Sequence, residues 1–377
     1  MTEREARIAF NMIPTVGAVT VARLAAEAGG SVAEAYARYP DKRDWEGKEP
    51  DWEREIARAA KMKVTIVTEL DDAYPPLLKE IASPPLALYV AGDSAVLSKA
   101  GVALVGTRAA TAYGRETAER LAAGLAQRGW AVFSGLAVGI DAAAHRGALL
   151  GGGATAGILG GALDCFFPSE NRKLAREMVE KGGCVASEFP FGRRPDAQTF
   201  PQRNRIVSGL AHGVVAVECP LRSGTLITCS RAAEQGRPVM AVPGRVDWKT
   251  ASGCNQLIRE GARLVTNVDD IVEELTPLGK AARVEGKKKA SASEGRRAVA
   301  DKRQPSSPVR RSTSDAPQAM FTLEESLVLR AIPEGGATID AVAREAKLSA
   351  GKVNALLVGL RLKGRVRFFP GNRVATT

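Results

Sequence analysis

The sequence VALVGTRAATAYGRETAERLAAGLAQRGWAVFSGLAVGIDAAAH, residues 102–145, decides the fold class of this chain. Two short apolar runs, Val102–Val105 and Ala131–Phe133, flank a segment, Arg115–Gln127, in which apolar residues recur at helical spacing. An apolar strand, an amphipathic helix and another apolar strand in succession are typical of a parallel sheet that helices cover on both faces. The stretch therefore predicts a doubly wound α/β domain.

The same alternation continues to either side of this stretch. Seven further runs rich in β-branched residues are predicted to be strands: Val64–Val67, Leu86–Val90, Ala156–Leu159, Cys184–Glu188, Val214–Glu218, Val239–Val242 and Arg263–Thr266. Together with the first two they predict nine strands of one mostly parallel sheet, with amphipathic helices between them. Residues 61–277 are accordingly predicted to form one Rossmann-like domain.

Residues 1–60 are predicted to be helical. Apolar positions recur at helical spacing from Ile8 to Tyr36, and the segment Pro14–Gly17 marks a tight turn between two helices. The pattern resembles a SAM-like or helix-hairpin-helix module, whose turn amides contact a phosphate backbone in some proteins. A plain helical hairpin packed on the main domain is the alternative, and the small number of basic residues in the hairpin favours it.

The segment 278–318 is predicted to be a disordered linker. It is rich in Lys, Arg, Ser, Ala and Pro and lacks apolar periodicity. Between Lys280 and Arg311, eleven Lys and Arg residues stand against three carboxylates, so this segment holds most of the excess behind the formal net charge of +11. Such a composition fits either a solubilising tether or an auxiliary nucleic-acid-binding arm.

Residues 319–377 are predicted to form a winged helix. Three helical stretches precede the segment 366–374, which reads as a hairpin with its turn at 370–372. The third helix would turn Val353, Leu356, Leu357 and Leu360 to the core and Lys352, Asn354, Arg361 and Lys363 to solvent. A module of this kind serves either in duplex DNA recognition or in contacts with another protein.

The composition predicts a cytoplasmic protein without a membrane segment. The first residues, MTEREARIAF, are acidic where a signal peptide would be basic, and no run of about 18 apolar residues occurs. The five cysteines are an odd number, form no CxxC pair and lie mostly among β-branched residues. We therefore expect these cysteines to be reduced and structural.

The loops that follow the predicted strands are the expected functional site, because open parallel sheets bind ligands at the carboxyl ends of their strands. These loops carry glycines, hydroxyl side chains, arginines and a phenylalanine. Glycine lets backbone amides approach a phosphate, and arginine adds bidentate phosphate contacts. Phe200, three residues before Arg203, is either a platform that stacks a base or an anchor of its loop.

No cofactor is expected at this site. Residues Gly106–Thr111 stand where a dinucleotide fingerprint would need GxGxxG, and the chain contains no GxxxxGK[ST] phosphate loop. Dinucleotide binding and ATP hydrolysis are therefore both disfavoured.

Catalytic and metal sites have weaker support. His145 follows Asp141 by four residues, which favours a side-chain pair on one helix face over a catalytic role. Asp164, Glu188 and Glu218 fall near strand ends and are the candidates for a divalent metal, but they are dispersed among arginines. We therefore expect neither a catalytic residue nor a metal ligand.

Eight segments between residues 60 and 275 resemble, in the same order, the motifs of the DNA processing protein A family, also called DprA/Smf. They are VALVGTR (102–108), SGLAVGIDAAAH (134–145), LDCFFPSENR (163–172), SEFP (187–190), FPQRNRI (200–206), RSGTLIT (222–228), VPG (242–244) and GCNQLIREGARLV (253–265). One such motif would be weak support for the family, whereas eight in order are specific.

The resemblance implies an extended Rossmann fold that binds single-stranded DNA in a basic pocket and forms a homodimer. It also implies a recombination mediator rather than an enzyme, one that protects incoming DNA and loads the RecA recombinase on it during natural transformation. Carried over position by position, the DNA-binding pocket consists of Gly106, Thr107, Arg108, Ser134, Gly135, Phe200, Arg203, Asn204, Arg205, Arg222, Ser223 and Gly224. These residues lie in the loops that the strand order predicts.

Two other functions are alternatives on the sequence. Nucleotide phosphoribohydrolases share this type of sheet and use a PGGxGTxxE loop. Here the stretch Pro220–Thr228 reads PLRSGTLIT, with arginine in place of one glycine and threonine in place of the glutamate. A transcriptional regulator acting through the winged helix is the other alternative, and it would prefer duplex DNA with defined half-sites.

Overall fold

The structure is a computed structural model that describes residues 1–276, 323–333, 337–346, 365–369 and 373–376, together with Leu348, Val353, Leu356, Leu357 and Leu360. The chain divides into two compact units, Met1–Arg296 and Arg297–Thr377. The predicted linker, 278–318, lies outside the described residues. Within the described residues, every helix is too short or too polar to cross a membrane.

The first unit is built on a nine-stranded sheet. Its strands are β1 (Val64–Thr68), β2 (Ala87–Gly92), β3 (Gly101–Gly106), β4 (Ala131–Ser134), β5 (Thr155–Ile158), β6 (Cys184–Ser187), β7 (Gly213–Glu218), β8 (Val239–Ala241) and β9 (Arg263–Leu264). They lie in the order β1-β2-β6-β5-β4-β3-β7-β8-β9. Strand β2 runs antiparallel to β1 and β6, and the other neighbours are parallel. The predicted α/β class with a mostly parallel sheet is confirmed.

Helices precede the sheet and connect its strands. Before β1 stand α1 (Glu3–Asn11), α2 (Ala18–Glu27), α3 (Val32–Arg38) and α4 (Trp52–Lys61). After it follow α5 (Pro76–Lys79), α6 (Ala112–Gln127), α7 (Ile140–Leu150), α8 (Arg172–Glu180), α9 (Thr199–Leu210), α10 (Gly224–Glu234) and α11 (Ser252–Arg259). Residues 268–276 are also helical.

Each central strand presents alternate residues to the two faces of the sheet, as strand geometry requires. In β3, Val102 and Leu104 lie in a buried cluster that includes Leu121 of α6. Their neighbours Ala103 and Val105 lie in a separate buried cluster. Both faces of the strand are therefore covered, which explains why β3 is apolar at every position.

The order of the strands reverses between β3 and β7. From β3 the chain continues through β4, β5 and β6 to one side, and then returns to place β7, β8 and β9 on the other side. The connections that follow β3 and β7 leave in opposite directions, so a crevice opens at the carboxyl ends of these two strands. This reversal is the topological switch point, where ligands of open parallel sheets bind.

The first four helices belong to the same unit as the sheet. Ile8 of α1 and Ala59 of α4 share a buried cluster with Val64 and Tyr89 of the first two strands. The predicted turn at 14–17 lies between the end of α1 and the start of α2. The structure therefore joins these helices to the sheet, and a domain boundary at residue 60 stays a prediction.

The segment after β6 differs from the sequence-based expectation. The sequence predicts that Phe200 and Arg203 lie in the loop after the strand Cys184–Glu188, whereas α9 begins at Thr199. Asp196 orders the turn just before the helix, because its Oδ1 accepts hydrogen bonds from the backbone N–H groups of Gln198 at 2.8 Å and Thr199 at 3.0 Å. Pro201 is tolerated because it lies in the first turn, where a helix needs no N–H donor. The predicted site residues of this segment consequently lie on a helix.

The second unit contains two helices and a three-stranded sheet among its described residues. The helices are Leu323–Arg330 and Ile339–Glu345, and the strands are Ala337–Thr338, Val366–Phe369 and Arg373–Thr376. The last strand pairs antiparallel with both of the others.

The core of the second unit contains the apolar residues predicted for its third helix. Val353, Leu357 and Leu360 are buried, and Leu356 packs against the same cluster. The polar residues predicted to face solvent and the predicted turn lie outside the described residues: Lys352, Asn354, Arg361, Lys363 and 370–372.

Candidate nucleic-acid interface

A cavity of about 330 Å³ opens at the topological switch point. Ten of the twelve predicted site residues line it: Gly106, Thr107, Arg108, Gly135, Phe200, Arg203, Asn204, Arg222, Ser223 and Gly224. They come from the ends of β3, β4 and β7 and from the first turns of α9 and α10. The cavity thus brings together segments that are more than a hundred residues apart in sequence.

Gly106, at the end of β3, lets helix α7 approach the loop. A Cβ at this position would lie 2.4 Å from Cγ1 of Ile140, so a larger residue would push the helix away. The N–H of Thr107 donates to the carbonyl oxygen of Glu218 at 2.7 Å, which ties this loop to the end of β7. Arg108 therefore follows a backbone that is held on two sides.

Arg108 and Arg222 are exposed cations of the cavity lining. Neither forms an ion pair within the part of the chain that the structure describes. The guanidinium carbon of Arg108 lies 4.8 Å from the centroid of the Phe200 ring, within the range of a cation–π contact. An arginine without a carboxylate partner keeps its N–H donors available to a phosphate.

The loop after β7 ends at the N terminus of α10. Ser223 caps this helix, because its Oγ accepts a hydrogen bond from the N–H of Thr225 at 3.1 Å. A Cβ at Gly224 would meet no atom within 4 Å, so the first turn is open on this side. A helix N terminus carries about half a positive charge and favours an anion at this point.

Phe167 and Phe200 stand beside each other at the cavity. Their ring centroids are 6.2 Å apart, and Phe167 is 49% exposed. Both rings line an adjoining cavity of about 120 Å³, together with Arg108. Phe200 also packs on Gly160, where a Cβ would lie 2.7 Å from its ring. One part of the ring is therefore anchored while another part faces the two cavities.

Arg203 is buried and braces the cavity from within. Its Nη1 donates to the carbonyl oxygens of Gly135 and Ile158, at the ends of β4 and β5. Burial and the neighbouring charge of Arg108 together lower the pKa of Arg203 to about 10, although the charge of Asp141 opposes the shift. Arg203 therefore supports the backbone of the site and is less available to a ligand than Arg108.

Asp141 is a buried carboxyl group in the lining. Its Oδ2 accepts hydrogen bonds from the N–H groups of Gly135 at 3.1 Å and Ala137 at 3.4 Å. Burial raises the pKa of Asp141, although these hydrogen bonds and the charge of Arg203 act in the opposite direction. This group shapes the turn that follows β4.

Two predicted site residues, Ser134 and Arg205, lie outside the cavity lining. The Oγ of Ser134 is buried and donates to the carbonyl oxygen of Leu104 at 2.6 Å, because the side chain points between β4 and β3. Arg205 forms an ion pair with Glu188, and both side chains are mostly buried. A direct contact of these two residues with DNA stays a prediction.

His145 does not form the predicted helix pair with Asp141. Its Nδ1 lies 2.7 Å from Oγ1 of Thr155, and that hydroxyl donates to the carbonyl oxygen of Val132. The hydroxyl proton is thus engaged, so Nδ1 carries the hydrogen of this contact. Burial and the charges of Arg203 and Arg146 lower the pKa of His145 to about 3. The imidazole is a neutral group on the buried face of α7.

The three carboxylates considered for a metal are engaged separately. Asp164 accepts hydrogen bonds from the N–H of Gly192 and pairs with Arg58. Glu188 pairs with Arg205, and Oε2 of Glu218 accepts from the N–H of Thr111 at 2.9 Å. Among the described residues, no group of three possible His, Cys, Asp or Glu ligands converges.

Several residues that line the site were absent from the sequence-based set. Phe167 and Asp141 both lie within motifs quoted above, and the aromatic pair before Pro168 was an available signal for Phe167. Thr225 and Thr228 enter the lining because the first turns of α10 continue the loop after β7. Helical spacing from Gly224 would have indicated Thr228, four residues later on the same face of α10.

Comparison with known protein families shows which family models match this chain. The family model described as DNA recombination-mediator protein A matches residues 65–276, more than half of the chain. The chain belongs to the DprA/Smf family. A second model, described as the DprA winged helix domain, matches residues 312–372, which confirms the winged helix predicted from the sequence. DprA/Smf proteins are mediators of DNA recombination and not enzymes, so the phosphoribohydrolase alternative is set aside.

Similar DprA proteins come from several bacteria. DNA processing protein DprA of Streptococcus pneumoniae is 43% identical over 205 residues, which are 54% of this chain and 72% of the relative. The X-ray structure of DprA from Streptococcus pneumoniae has a TM-score of 0.60 at 34% identity and covers 73% of this chain and 98% of its own. A Helicobacter pylori DprA structure, described with a single-stranded DNA binding mode, has a TM-score of 0.52 at 28% identity, covering 57% and 96%.

Proposed function

We propose that this chain binds single-stranded DNA in the cavity at the switch point. The observation that carries the proposal is the position of two unpaired arginines, Arg108 and Arg222, beside the ring of Phe200 and the N terminus of α10, within the described residues. Arginines and a helix N terminus suit phosphates, and an aromatic ring suits bases. The binding mode described for the Helicobacter pylori relative supports the same ligand.

A single strand fits this site better than a duplex. A base enters a cavity only when it is free of its stack and of its partner, and a base in a duplex must first be extruded at a cost of a few kcal/mol. The cavity of about 330 Å³ has the Phe200 ring at its wall, where an unpaired base stacks without that cost. We therefore expect single-strand preference with little dependence on base sequence.

The proposal extends to a role in recombination. Membership of the DprA/Smf family supports a protein that protects incoming DNA and loads the RecA recombinase on it during natural transformation. In this role the chain acts in the cytoplasm and as a homodimer. The proposed partners are single-stranded DNA, RecA and a second copy of the chain.

The proposed domains have the boundaries that the sequence predicts. A helical module at 1–60 precedes the DNA-binding domain at 61–277, and a basic linker at 278–318 leads to the winged helix at 319–377. Within the site, Ser134 and Arg205 act as supports: Ser134 holds the ends of two strands together, and Arg205 neutralises Glu188. Arg203 supports the cavity from its buried side, and the other nine predicted residues form the contact surface with the DNA.

Fluorescence anisotropy with labelled oligo-dT and a matched duplex, at two salt concentrations, tests the proposal. The wild type is expected to bind oligo-dT more tightly than the duplex, with an affinity that falls steeply as salt rises. Arg222→Gln should weaken the binding and reduce the slope of log K against log salt by about 0.7, the value for one single-strand phosphate contact.

Arg231→Gln is the matched control for this variant. Arg231 is an exposed arginine of α10, the helix that follows Arg222; it pairs with Glu234 and does not line the cavity, so its loss should leave oligo-dT binding unchanged. Equal or tighter duplex binding that Arg222→Gln leaves unaffected would assign the activity to another part of the chain.

A further inference from the structure

A second cluster of an aromatic ring and arginines lies on the same edge of the sheet as the cavity. Trp45, in the segment between α3 and α4, keeps 43% of its surface exposed. The guanidinium carbon of Arg193 lies 4.1 Å from the centroid of the Trp45 ring. Arg193 is itself held by Asp196 and by the carbonyl oxygen of Arg194, to which it donates at 2.7 Å. We call Trp45, Arg193 and Arg194 the Trp45 platform.

Arg193 is a fixed support for the tryptophan. Its side chain is 15% exposed, whereas a surface arginine is usually mobile and solvated. Since the guanidinium is both paired with Asp196 and stacked on Trp45, it holds the indole ring in one place. An exposed and immobilised aromatic ring is the surface on which single-strand binding proteins stack bases.

The chain that follows β5 connects the platform to the cavity. A Cβ at Gly160 would lie 2.7 Å from the ring of Phe200, so Gly160 touches the aromatic wall of the cavity. Two residues later, the N–H of Ala162 donates to the carbonyl oxygen of Arg193 at 2.9 Å. Two residues of extended chain span at most about 7 Å. The distance from Gly160 to Ala162 is thus about two nucleotide rises, since bases rise about 3.4 Å in a duplex. The side chains of Phe200 and Arg193 extend this distance at its two ends.

Charge on the platform also suits a phosphate backbone. Arg194 is exposed and has no ion-pair partner among the residues that the structure describes. The other arginine on this side, Arg58, is paired with Asp164 at 2.6 Å and is less available. Arg194 follows Arg193, the residue that stacks on Trp45, and its carbonyl oxygen accepts a hydrogen bond from Arg193. An exposed cation without a carboxylate partner among the described residues is therefore next in the chain to the arginine that holds the ring.

We propose that single-stranded DNA continues from the cavity to the Trp45 platform, where one base stacks on Trp45 and one phosphate contacts Arg194. This inference rests on the proposed function and adds a second subsite to it. It makes the N-terminal helical module part of the DNA-binding surface through a tryptophan rather than through the amides of its hairpin turn. The site takes any base, because every base has an aromatic face.

Oligonucleotides of two lengths separate the two subsites in the full-length chain. An oligo-dT of about 3 nucleotides is too short to occupy both subsites, and one of about 15 nucleotides reaches the platform, within the range of known single-strand site sizes. Trp45→Ala should leave the shorter ligand's affinity unchanged and weaken binding of the longer one about tenfold, which corresponds to about 1.4 kcal/mol of stacking. Arg194→Gln, a change at an exposed and unpaired side chain of the described structure, should reduce the salt slope of the longer ligand by about 0.7.

Trp248→Ala is the matched control. Trp248 is 38% exposed and lies 5.6 Å from the guanidinium carbon of Arg245, but it follows β8 on the other side of the switch point. This variant should bind both ligands as the wild type does. If Trp248→Ala lost as much affinity for the longer ligand as Trp45→Ala does, the inference would be overturned, because the dependence on length would then be common to exposed tryptophans.

Further outcomes separate this inference from the proposed function. If Trp45→Ala lost equal affinity for the two oligonucleotide lengths, the tryptophan would only stabilise the fold. If both Trp45→Ala and Arg194→Gln bound the longer ligand as the wild type does, the strand would not reach the platform. Either result overturns the second subsite alone, provided that Arg222→Gln weakens both lengths. If the wild type binds neither ligand, the proposed function fails and the inference fails with it.

Discussion

Arg108 and Arg203 both line the cavity, yet they differ in burial and in partners. Arg203 is buried and donates hydrogen bonds to the carbonyl oxygens of Gly135 and Ile158, so it holds two strand ends together. Arg108 is exposed and contacts the face of Phe200. The same side chain therefore serves as structural support in one position and as a candidate phosphate contact in the other.

Arg108→Ala and Phe200→Ala are expected to weaken DNA binding in different ways. Arg108→Ala removes a phosphate contact, so the slope of log K against log salt should fall by about 0.7, with the affinity lost uniformly across sequences. Phe200→Ala removes stacking of about 1–3 kcal/mol per base and leaves every charge in place, so the slope should not change. Anisotropy titrations of oligo-dT over a salt series measure both quantities. Equal changes of slope in the two variants would contradict this assignment.

His145 should make the stability of the protein depend on pH. Its pKa is lowered from 6.5 to about 3 by burial, so the folded protein keeps the imidazole neutral where the unfolded chain takes up a proton. The stabilisation is complete above pH 6.5 and is lost as the pH falls from 6.5 towards 3, by up to about 1.4 kcal/mol per pH unit.

Urea unfolding measured between about pH 7.5 and pH 5 tests this expectation. The free energy of unfolding of the wild type should decrease over this interval more than that of His145→Gln, which has no titrating group at the position but keeps a donor for Thr155. The same pH dependence in both proteins would show that other groups control it.

At the scale of elements, α6 and α7 pack so closely at Gly147 that a side chain at this position would clash. A Cβ at Gly147 of α7 would lie 2.3 Å from the carbonyl oxygen of Glu119 in α6, and 2.7 Å from its Cα. Backbone atoms cannot move aside as a flexible side chain does. The close approach matters for the site, because the start of α7 carries Asp141 and Ile140 against the loops after β4 and β3.

Gly147→Ala is expected to destabilise the first unit. Overpacking of this kind costs about 1–3 kcal/mol, and the better helix propensity of alanine, about 1 kcal/mol, offsets only part of it. Thermal unfolding should show a lower Tm, by about 2–4 °C for each kcal/mol in domains of about 150–250 residues.

Gly224→Ala is the matched control, since a Cβ there would meet no atom within 4 Å. Its Tm should equal that of the wild type or exceed it slightly, because alanine restricts the unfolded chain. A Tm of Gly147→Ala equal to that of this control would show that α6 and α7 adjust without cost.

At the scale of the whole molecule, one topological feature explains where the site lies. Because β3 and β7 are neighbours in the sheet but are separated by three strands in the chain, the segments around residues 106 and 222 meet at one edge. The helix α9, between β6 and β7, brings Phe200 and Arg203 to the same place. All the residues that line the cavity belong to the first unit.

The amino-acid sequence alone determined the elements and the edge of the sheet at which they act. Nine runs rich in β-branched residues predicted nine strands, and β3 is apolar at every position because both of its faces are covered. The strand order predicted the edge of the sheet at which the site lies, because parallel strands all end at the same edge. The family resemblance implied twelve site residues in the loops at that edge, and ten of them line one cavity. The motifs within these loops also indicated the DprA/Smf family that the comparison with known proteins shows.

Only the tertiary structure decided what each of these side chains does. Arg203 and Arg205 stand two residues apart on α9, and local sequence does not distinguish them from Arg108 or Arg222. The carbonyl oxygens that engage Arg203, and the carboxylate that engages Arg205, come from β4, β5 and the end of β6. Partners of this kind are distant in the chain and near only after folding, so burial and pairing, and with them the charge left for a ligand, are properties of the folded protein.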